Sequence, residues 1–489
     1  MGAGPNGLAA AICLARSGWS VLVCEAAKTV GGGSRSAEPT LPGFVHDVCS
    51  TIYPLAVSSP FFATMPLAKF GLQWLQPPAA CAHPLDDGTT VFLERTVEGT
   101  AAGLGDPSAA YGTPEAGGHE SHSDGAAYRR VMAPLVAHWG ELRNDLLGPQ
   151  RFPPRHPVQL ARFGLRGLRS AEALADDTFA GRRGRALFAG VAAHSMLPLD
   201  RPGSAAFGLV LMASAHAVGW PLARGGSQHI ADALAGYFLS LGGEIEVDRR
   251  IDDIDELPVA RAAVFDVTPR QLVSIAGSRL PVRYVAALGR YRYGPAAFKL
   301  DWALDGPIPW TAAECARAAT VHIGGELAEI AASQAAVWRG GVSDRPFVIV
   351  VQPSLFDPGR APQGKHTVWA YCQVPNGWRG DPTGAIEAQI ERFAPGFCDL
   401  VLARHTTTPA DLEAYDANYV GGDINGGVED LRQLFMRPVA RWNPYRTPND
   451  GIYLCSSSTP PGGGVHGMCG YHAALAAIAT LGKTPVPSR

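Results

Sequence analysis

The sequence predicts an α/β protein: a Rossmann-type, doubly wound dinucleotide-binding domain accompanied by a second region with its own sheet. Three observations carry this. The pattern Gly2-x-Gly4-x-x-Gly7 opens the chain and runs straight into helix-forming residues. Behind that helix, "WSVLVCEA" reads as a strand that ends in an acid, Glu25. Helix–strand alternation then returns at 224–265 and again over 451–482.

In the opening pattern each glycine has a physical task. The first allows a tight turn, the second lets backbone approach a pyrophosphate, and the third lets helix pack on sheet. Leu8, Ala11, Ile12 and Ala15 recur at helical spacing, and Gly18 ends the helix. Glu25 follows Gly7 by 18 residues, close to the roughly 20 at which an acid holds a ribose hydroxyl. An anion would sit at the helix N-terminus, where unpaired N–H groups and the helix dipole favour it. A chance glycine turn lacks this helix–strand–acid sequel. A signal-peptide core is excluded by the absence of a basic segment ahead and by Arg16 behind. The pattern normally follows a strand and here none precedes it, so the first strand of the sheet is expected to be missing at this start. The alternative is a sheet that lacks that strand altogether. A second glycine cluster, "KTVGGGSRS", suits backbone passing close to a ribose and phosphate, although alone it reads as a loop.

The 489 residues suffice for two or three domains with large cores. A formal net charge of −3 argues against nucleic acid as a partner. No uninterrupted apolar run reaches the length of a membrane span. A cytoplasmic location is expected, with peripheral membrane contact left open by a charged content of only 17%. The nine cysteines are scattered without C-x-x-C, so neither a disulfide scaffold nor a redox dithiol is expected, and no Cys/His spacing suits zinc. Residues 101–127 are low-complexity and are expected to form a disordered insertion, whose His119 and His122 lack further metal ligands. From Tyr128 to His216 the pattern is mostly helical, and "SAAFGLVLMASAHAVGWPLA" reads as a buried helix or the wall of an apolar channel. Strands are expected within 284–304 and 345–374. In "FKLDWALD", Phe298, Leu300, Trp302 and Leu304 would share one face and Lys299 and Asp301 the other.

The opening segment, the "VGGGSRS" turn and the C-terminal "GIYLCSSSTPPGGGVHGMCGYHAA" together resemble bacterial-type phytoene desaturases. "ARGGSQHIADAL" and "NYVGGDINGG" resemble the phytoene-desaturase-related FAD oxidoreductases in particular, the group of pyridine nucleotide-disulfide oxidoreductase domain-containing protein 2. The resemblance covers nearly the whole chain outside 101–127. It implies an amine-oxidase-like fold in which a discontinuous FAD-binding domain (1–80, 224–283 and 440–489) carries an inserted substrate domain. That domain comprises a helical cap over 81–223 and a sheet over 284–439. By motif position Gly2, Gly4, Pro5, Asn6 and Gly7 would meet the FAD pyrophosphate. Glu25 and Ala26 would meet the adenosine ribose, and Gly32, Gly33 and Ser34 would lie beside ribose and phosphates. Ile251 would present backbone to adenine. Ser457 and the stretch Pro461, Val465, Gly467 and Met468 would lie along the flavin and open the last helix toward the pyrophosphate. The chain departs from the desaturases at Ser456 and Ser458, where they usually have glycine, and at Pro460, where they often have histidine. These changes put carotenoid chemistry in doubt.

Two residues are candidates for catalysis. A lysine in a comparable strand of amine-oxidase-like folds can hold a water near the flavin, which nominates Lys299; otherwise it faces solvent beside Asp301. His466, in the flavin turn, has a free pKa near neutrality and suits an acid or base, or it caps the last helix. Tyr53 and His46 are further pocket candidates. Cys469 is expected to pack. The expected activity is an FAD-dependent dehydrogenation (desaturation) or isomerisation of a lipophilic, isoprenoid-like small molecule. The electron acceptor is left open between oxygen, a quinone and a redox protein. The alternatives are an amine-oxidase-type flavoenzyme, which would need an aromatic cage and a carboxylate, and a flavin-binding regulator without turnover.

Overall fold

A computed structural model describes residues 1–105, 123–149 and 153–482. Most of the expected insertion at 101–127, with His119 and His122, lies outside them. Its two ends are helical, within Val97–Gly103 and Asp124–Ala137.

Helix α1 (Pro5–Arg16) starts with proline in its first turn, where the missing N–H costs nothing. It leads into β1 (Leu22–Cys24). A hairpin follows, β2 (Ala79–Pro84) and β3 (Thr90–Glu94). The helical region contains α2 (Arg182–Ala192) and α3 (Ser204–Val218), the latter being the apolar stretch expected to be buried. The chain returns to α/β order with α4 (Gln228–Ser240), β4 (Glu244–Glu246) and β5 (Ala263–Phe265). The second sheet is built from β6 (Ala296–Leu304), β7 (Ala318–Ile323), β8 (Val348–Val351), β9 (His366–Val374) and β10 (Val401–Thr407), with α5 (Leu327–Trp338) between β7 and β8. β11 (Ile452–Leu454) and α6 (Met468–Leu481) close the chain. Within the expected strand region 284–304, residues up to Leu288 belong to the helix Val282–Leu288 instead.

Two parallel strand pairs, β1·β4 and β5·β11, form the nucleotide-type half. Met1 and Gly2 run between them: Gly2 N–H donates to the Cys24 carbonyl at 2.8 Å, the Met1 amino group to that of Val264 at 2.7 Å, and Asp266 N–H to that of Met1 at 2.8 Å. Helices α1, α4 and α6 pack over this layer through Leu8, Ile12, Ile230, Phe238 and Ala473. The contact of α1 with α6 is close. A Cβ on Gly470 would lie 1.8 Å from the Asn6 carbonyl oxygen, so only glycine fits there.

The larger sheet has seven strands in the order β10-β6-β9-β8-β7-β2-β3, antiparallel except for the β7·β2 pair. The expected alternation holds, with Phe298, Leu300, Trp302 and Leu304 on one face and Lys299 and Asp301 on the other, but neither face meets water: all nine residues of β6 are buried. The reason is that this central strand is covered on both sides. Phe298, Leu300 and Trp302 pack with Ile386 and Phe393 of the helix Thr383–Phe393, while Ala297 packs with Leu412 and Tyr419 on the opposite face.

Candidate functional site

A cavity of about 840 Å³ runs from the N-terminus of α1 to the large sheet. Its walls come from chain segments far apart in sequence, and they differ chemically from end to end.

At the first end lie Gly2, Gly4, Pro5 and Asn6 of the opening turn, with Glu25 and Ala26 after β1. Gly32, Gly33 and Ser34 from the second glycine cluster, and Ile251 after β4, complete it. Gly2 has φ 89°, the left-handed region that glycine tolerates. The Glu25 carboxylate accepts the N–H groups of Ala3 at 2.6 Å and Ala27 at 2.9 Å, and pairs with Arg35 at 3.3 Å. It is thereby fixed in place as an acceptor at the cavity wall. Ser457 and Val465, beyond β11, also line the cavity. Twelve of the residues nominated from the motifs are therefore on one surface.

Four are not on it. Gly7 turns its N–H onto the carboxylate of Asp266 at 2.8 Å. Pro461, Gly467 and Met468 belong to the turn behind the wall, where Met468 N–H donates to His466 Nδ1 at 3.0 Å and a Cβ on Gly467 would strike Phe62. His466 is therefore the cap of α6 and not a cavity side chain, and burial pushes its pKa down to about 4. Cys469 is packed, with its Sγ directed at the carbonyls of Thr459 and Gly462. Lys299 does not face solvent: it is 4% exposed, ion-paired to Asp301, and lies beneath the Trp369 ring at 5.6 Å. Asp301 is also 3.3 Å from His46 Nδ1, and against its burial the opposite charge of Lys299 holds its carboxyl below the usual range. Lys299 and His46 stand behind the cavity wall, whereas Tyr53 is on it, with its hydroxyl donating to the Ser50 carbonyl at 2.6 Å.

Sequence reasoning missed several wall residues. Asp266 ends β5 and presses on the glycine turn: its Oδ2 would be 3.0 Å from a Cβ at Gly4. Burial pushes its carboxyl up to about 7, partly offset by the Gly7 N–H. The signal was an acid at the C-terminal end of a parallel strand, where α/β sheets bind ligands. Arg35 follows the glycine cluster directly, and Asp416 and Asn418 come from "YDANYVGGD". At the far end the only signal was the apolar stretch 204–223, read as a buried helix or the wall of an apolar channel, which supplies Leu211 and Trp220. There Ile349, Val351, Leu211, Trp220, Trp369 and Tyr371 make an apolar and aromatic wall, with His194 and Thr320 as its polar members. The Trp369 and Tyr371 rings stack at 6.1 Å.

This fold and this two-ended cavity define a class: a Rossmann-type dinucleotide-binding protein with an amine-oxidase-like second domain. The family profile of NAD(P)-binding Rossmann-like domains matches residues 1–64. The chain is 27% identical to mouse pyridine nucleotide-disulfide oxidoreductase domain-containing protein 2, over 97% of this chain and 92% of that one. It is 25% identical to the neurosporene-forming phytoene desaturase of Rhodobacter capsulatus, over 51% of each chain. Among solved structures it resembles an oxidoreductase from Methanosarcina mazei (TM-score 0.62, 15% identity, 98% of each chain). It also resembles wild-type putrescine oxidase bound to putrescine (TM-score 0.57, 16% identity, 98% of each chain). The resemblance read from the motifs thus holds: the chain is similar to the mouse protein along nearly its whole length and to the phytoene desaturase over about half of it.

Proposed function

We propose that this protein is an FAD-dependent oxidoreductase that dehydrogenates or isomerises a lipophilic small molecule. The observation that carries the reading is the polarity of the cavity: backbone amides, glycine turns and Glu25 at one end, an apolar aromatic wall at the other. The first end suits a dinucleotide. Gly4 and Gly32 leave room where a Cβ on Gly32 would come within 3.2 Å of Gly4 Cα, and Glu25 is held ready to accept a ribose hydroxyl. FAD would supply a two-electron acceptor that takes hydride. The protein would orient the substrate and exclude water.

The four carboxylates on the wall are Glu25, Asp266, Glu413 and Asp416. Three stand by the glycine turns and Glu413 pairs with Arg270, so the aromatic end carries none to meet an ammonium substrate. This favours a lipophilic substrate over an amine, although the Trp369–Tyr371 pair is half of what an amine site needs. Oxygen, a quinone and a redox protein are the candidate acceptors. Val158 and Leu165 of the helix Pro157–Gly167, and Leu168 after it, are 60%, 78% and 52% exposed, which supports peripheral membrane contact.

The test is spectroscopic. The purified chain, with FAD added, is expected to show a bound-flavin spectrum, and anaerobic phytoene in anionic vesicles is expected to bleach it faster than putrescine does. Bleaching by putrescine alone would replace the lipophilic reading with the amine reading. Failure to bind FAD would end both.

Asp266 makes a second outcome specific. Below pH 7 its carboxyl is largely protonated; above, it is an anion beside the turn that would hold a pyrophosphate. FAD affinity is therefore expected to fall as pH rises from 6 to 8, by roughly tenfold, the equivalent of one pKa unit. Asp266→Asn should bind FAD with little pH dependence, as measured by fluorescence titration. An unchanged slope would remove Asp266 from the site.

A further inference from the structure

At the cavity's aromatic end lie three histidines that the reading above does not use, His83 and His322 buried and His194 half-buried. His83 is on β2 and His322 on β7, side by side across the parallel pair in which Ala82 is the partner of Val321. His194 follows α2, in the turn Ala193–Ser195, and is the one of the three that lines the cavity. Its Nε2 is 2.9 Å from His322 Nε2. Two ring nitrogens aimed at each other at this distance share a proton and cannot share a metal ion. The other nitrogen of His194, Nδ1, has no partner among the described residues.

The remaining nitrogens fix the rest of the path. His83 Nε2 donates to the Gly325 carbonyl at 2.6 Å, which leaves His83 Nδ1 as an acceptor. His83 Nδ1 and His322 Nδ1 are both buried without a partner. Both face the same small space: a Cβ on Gly190 of α2 would be 3.0 Å from the first and 2.9 Å from the second. Two unpartnered nitrogens around a glycine gap are what a single bridging water satisfies.

We propose that His194 is the substrate-facing proton acceptor of this cavity, and that His322, a water beside Gly190, and His83 carry the proton away from it. This rests on the oxidoreductase reading, in which hydride loss leaves a substrate proton to be taken up. With His194 as the Nε2–H tautomer, Nδ1 accepts the substrate proton. His194 then gives its Nε2 proton to His322 Nε2. His322 gives its Nδ1 proton to the water, and the water gives one to His83 Nδ1. One proton enters, one is passed at each step, and His83 ends as the cation. The charges near that end are Glu329 of α5, whose Oε2 lies 2.9 Å from the Cβ position of Gly325, then Arg392, paired to Glu329, and Asp86, paired to Arg392. Glu329 favours the cation on His83. The neighbours at the cavity end, Trp220, Thr320 and Phe347, are uncharged, so the cation is stabilised only at the outer end and the proton is drawn outward. Burial without charge partners holds His194 and His322 neutral near pH 7, the state an acceptor needs.

Two measurements on the FAD-loaded chain decide this. The first is ring ¹⁵N NMR of histidine-labelled protein at pH 7.5, assigned with single His→Gln variants. The expected tautomers are Nε2–H for His83, Nδ1–H for His322 and Nε2–H for His194. A proton on His194 Nδ1 would overturn the proposal, whatever the substrate proves to be. The second is stopped-flow flavin reduction by whichever of phytoene and putrescine bleaches the wild-type protein. Gly190→Ala removes no titratable group but places a methyl against both Nδ1 atoms. It and His322→Phe are expected to slow reduction by at least about tenfold, at the low end of general-base effects, and to change the D₂O isotope effect and pH profile while substrate KM stays the same. Equal loss in KM with an unchanged isotope effect would mean that the histidines only pack. If neither compound bleaches the flavin, the oxidoreductase reading fails and the tautomer pattern still decides the path.

Discussion

Replacing Gly470 by alanine is expected to unfold the nucleotide half of the protein or leave it unable to bind a dinucleotide. The added Cβ would sit 1.8 Å from the Asn6 carbonyl oxygen, 2.8 Å from its carbon and 2.9 Å from Ala10 N. All three are backbone atoms, so no side chain can rotate away. The only relief is for α6 to separate from α1, and the cores that join them, Leu8, Ile12, Met468 and Ala473, would open with it. Overpacking a tight core costs about 1–3 kcal/mol where side chains can adjust; a backbone collision between two helices should exceed that. The effect reaches function because α1 begins at the glycine turn that lines the cavity. Gly384 provides the contrast. It lies on the helix Thr383–Phe393 and a Cβ there meets nothing within 4 Å. Gly384→Ala is expected to be neutral or stabilising by up to about 1 kcal/mol, since alanine is the better helix former. Thermal unfolding and FAD titration of the two variants check both statements. A Gly470→Ala protein that melts like the parent and binds FAD normally would show that α1 and α6 are not rigidly joined.

The two ends of the cavity differ in how far the sequence discloses them. The nucleotide end is made of contiguous motifs, because phosphate and ribose recognition uses backbone and a strand-end acid, whose positions follow from local chain geometry. Gly2, Gly4 and Glu25 could therefore be named from spacing alone, whereas Gly32, in a cluster that alone reads as a loop, was placed by the resemblance. Asp266 could have been found by the same rule, since it also ends a parallel strand, but it belongs to a strand placed by tertiary order and not by a motif. The aromatic end is different in kind. Trp369 and Tyr371 come from β9, Ile349 from β8, Thr320 from β7, Trp220 from beyond α3 and His194 from beyond α2. They share a surface only because of the strand order of the sheet, which no local pattern records. Lys299 shows the same limit from the other side. Alternation correctly separates it from Phe298 and Leu300, but whether the second face of β6 meets water or another layer is a property of the whole fold.

Acid is expected to destabilise this protein from about pH 6.5 downward, above the pH at which an ordinary carboxylate titrates. Burial holds His83, His194, His216 and His466 at pKa values of about 4 against the ordinary 6.5, and holds His322 well below that ordinary value. These histidines are neutral in the folded chain and protonate near pH 6.5 once unfolded. Between pH 6.5 and 4 the unfolded chain therefore binds more protons than the folded one, and stability must fall as pH falls through that window. Each such group contributes on the order of 3 kcal/mol of loss by pH 4, so a few of them together match the whole net stability of a typical protein, about 5–15 kcal/mol. Asp266, whose carboxyl burial raises to about 7, acts in the opposite direction and offsets about one of these histidines, while Asp47 and Asp301, whose pKa values are lowered by Arg360 and Lys299, add to the loss only below their ordinary value of 3.8. The melting temperature should thus be level from pH 8 to about 6.5 and drop steeply from there to pH 4.5, with and without FAD. The single variant His216→Gln, which is not part of the proposed proton path and whose Nε2 meets the Tyr128 hydroxyl at 2.6 Å, should flatten part of that drop even where it lowers the plateau. A melting temperature that stays constant down to pH 5 would mean that these histidines reach water and titrate as free ones do.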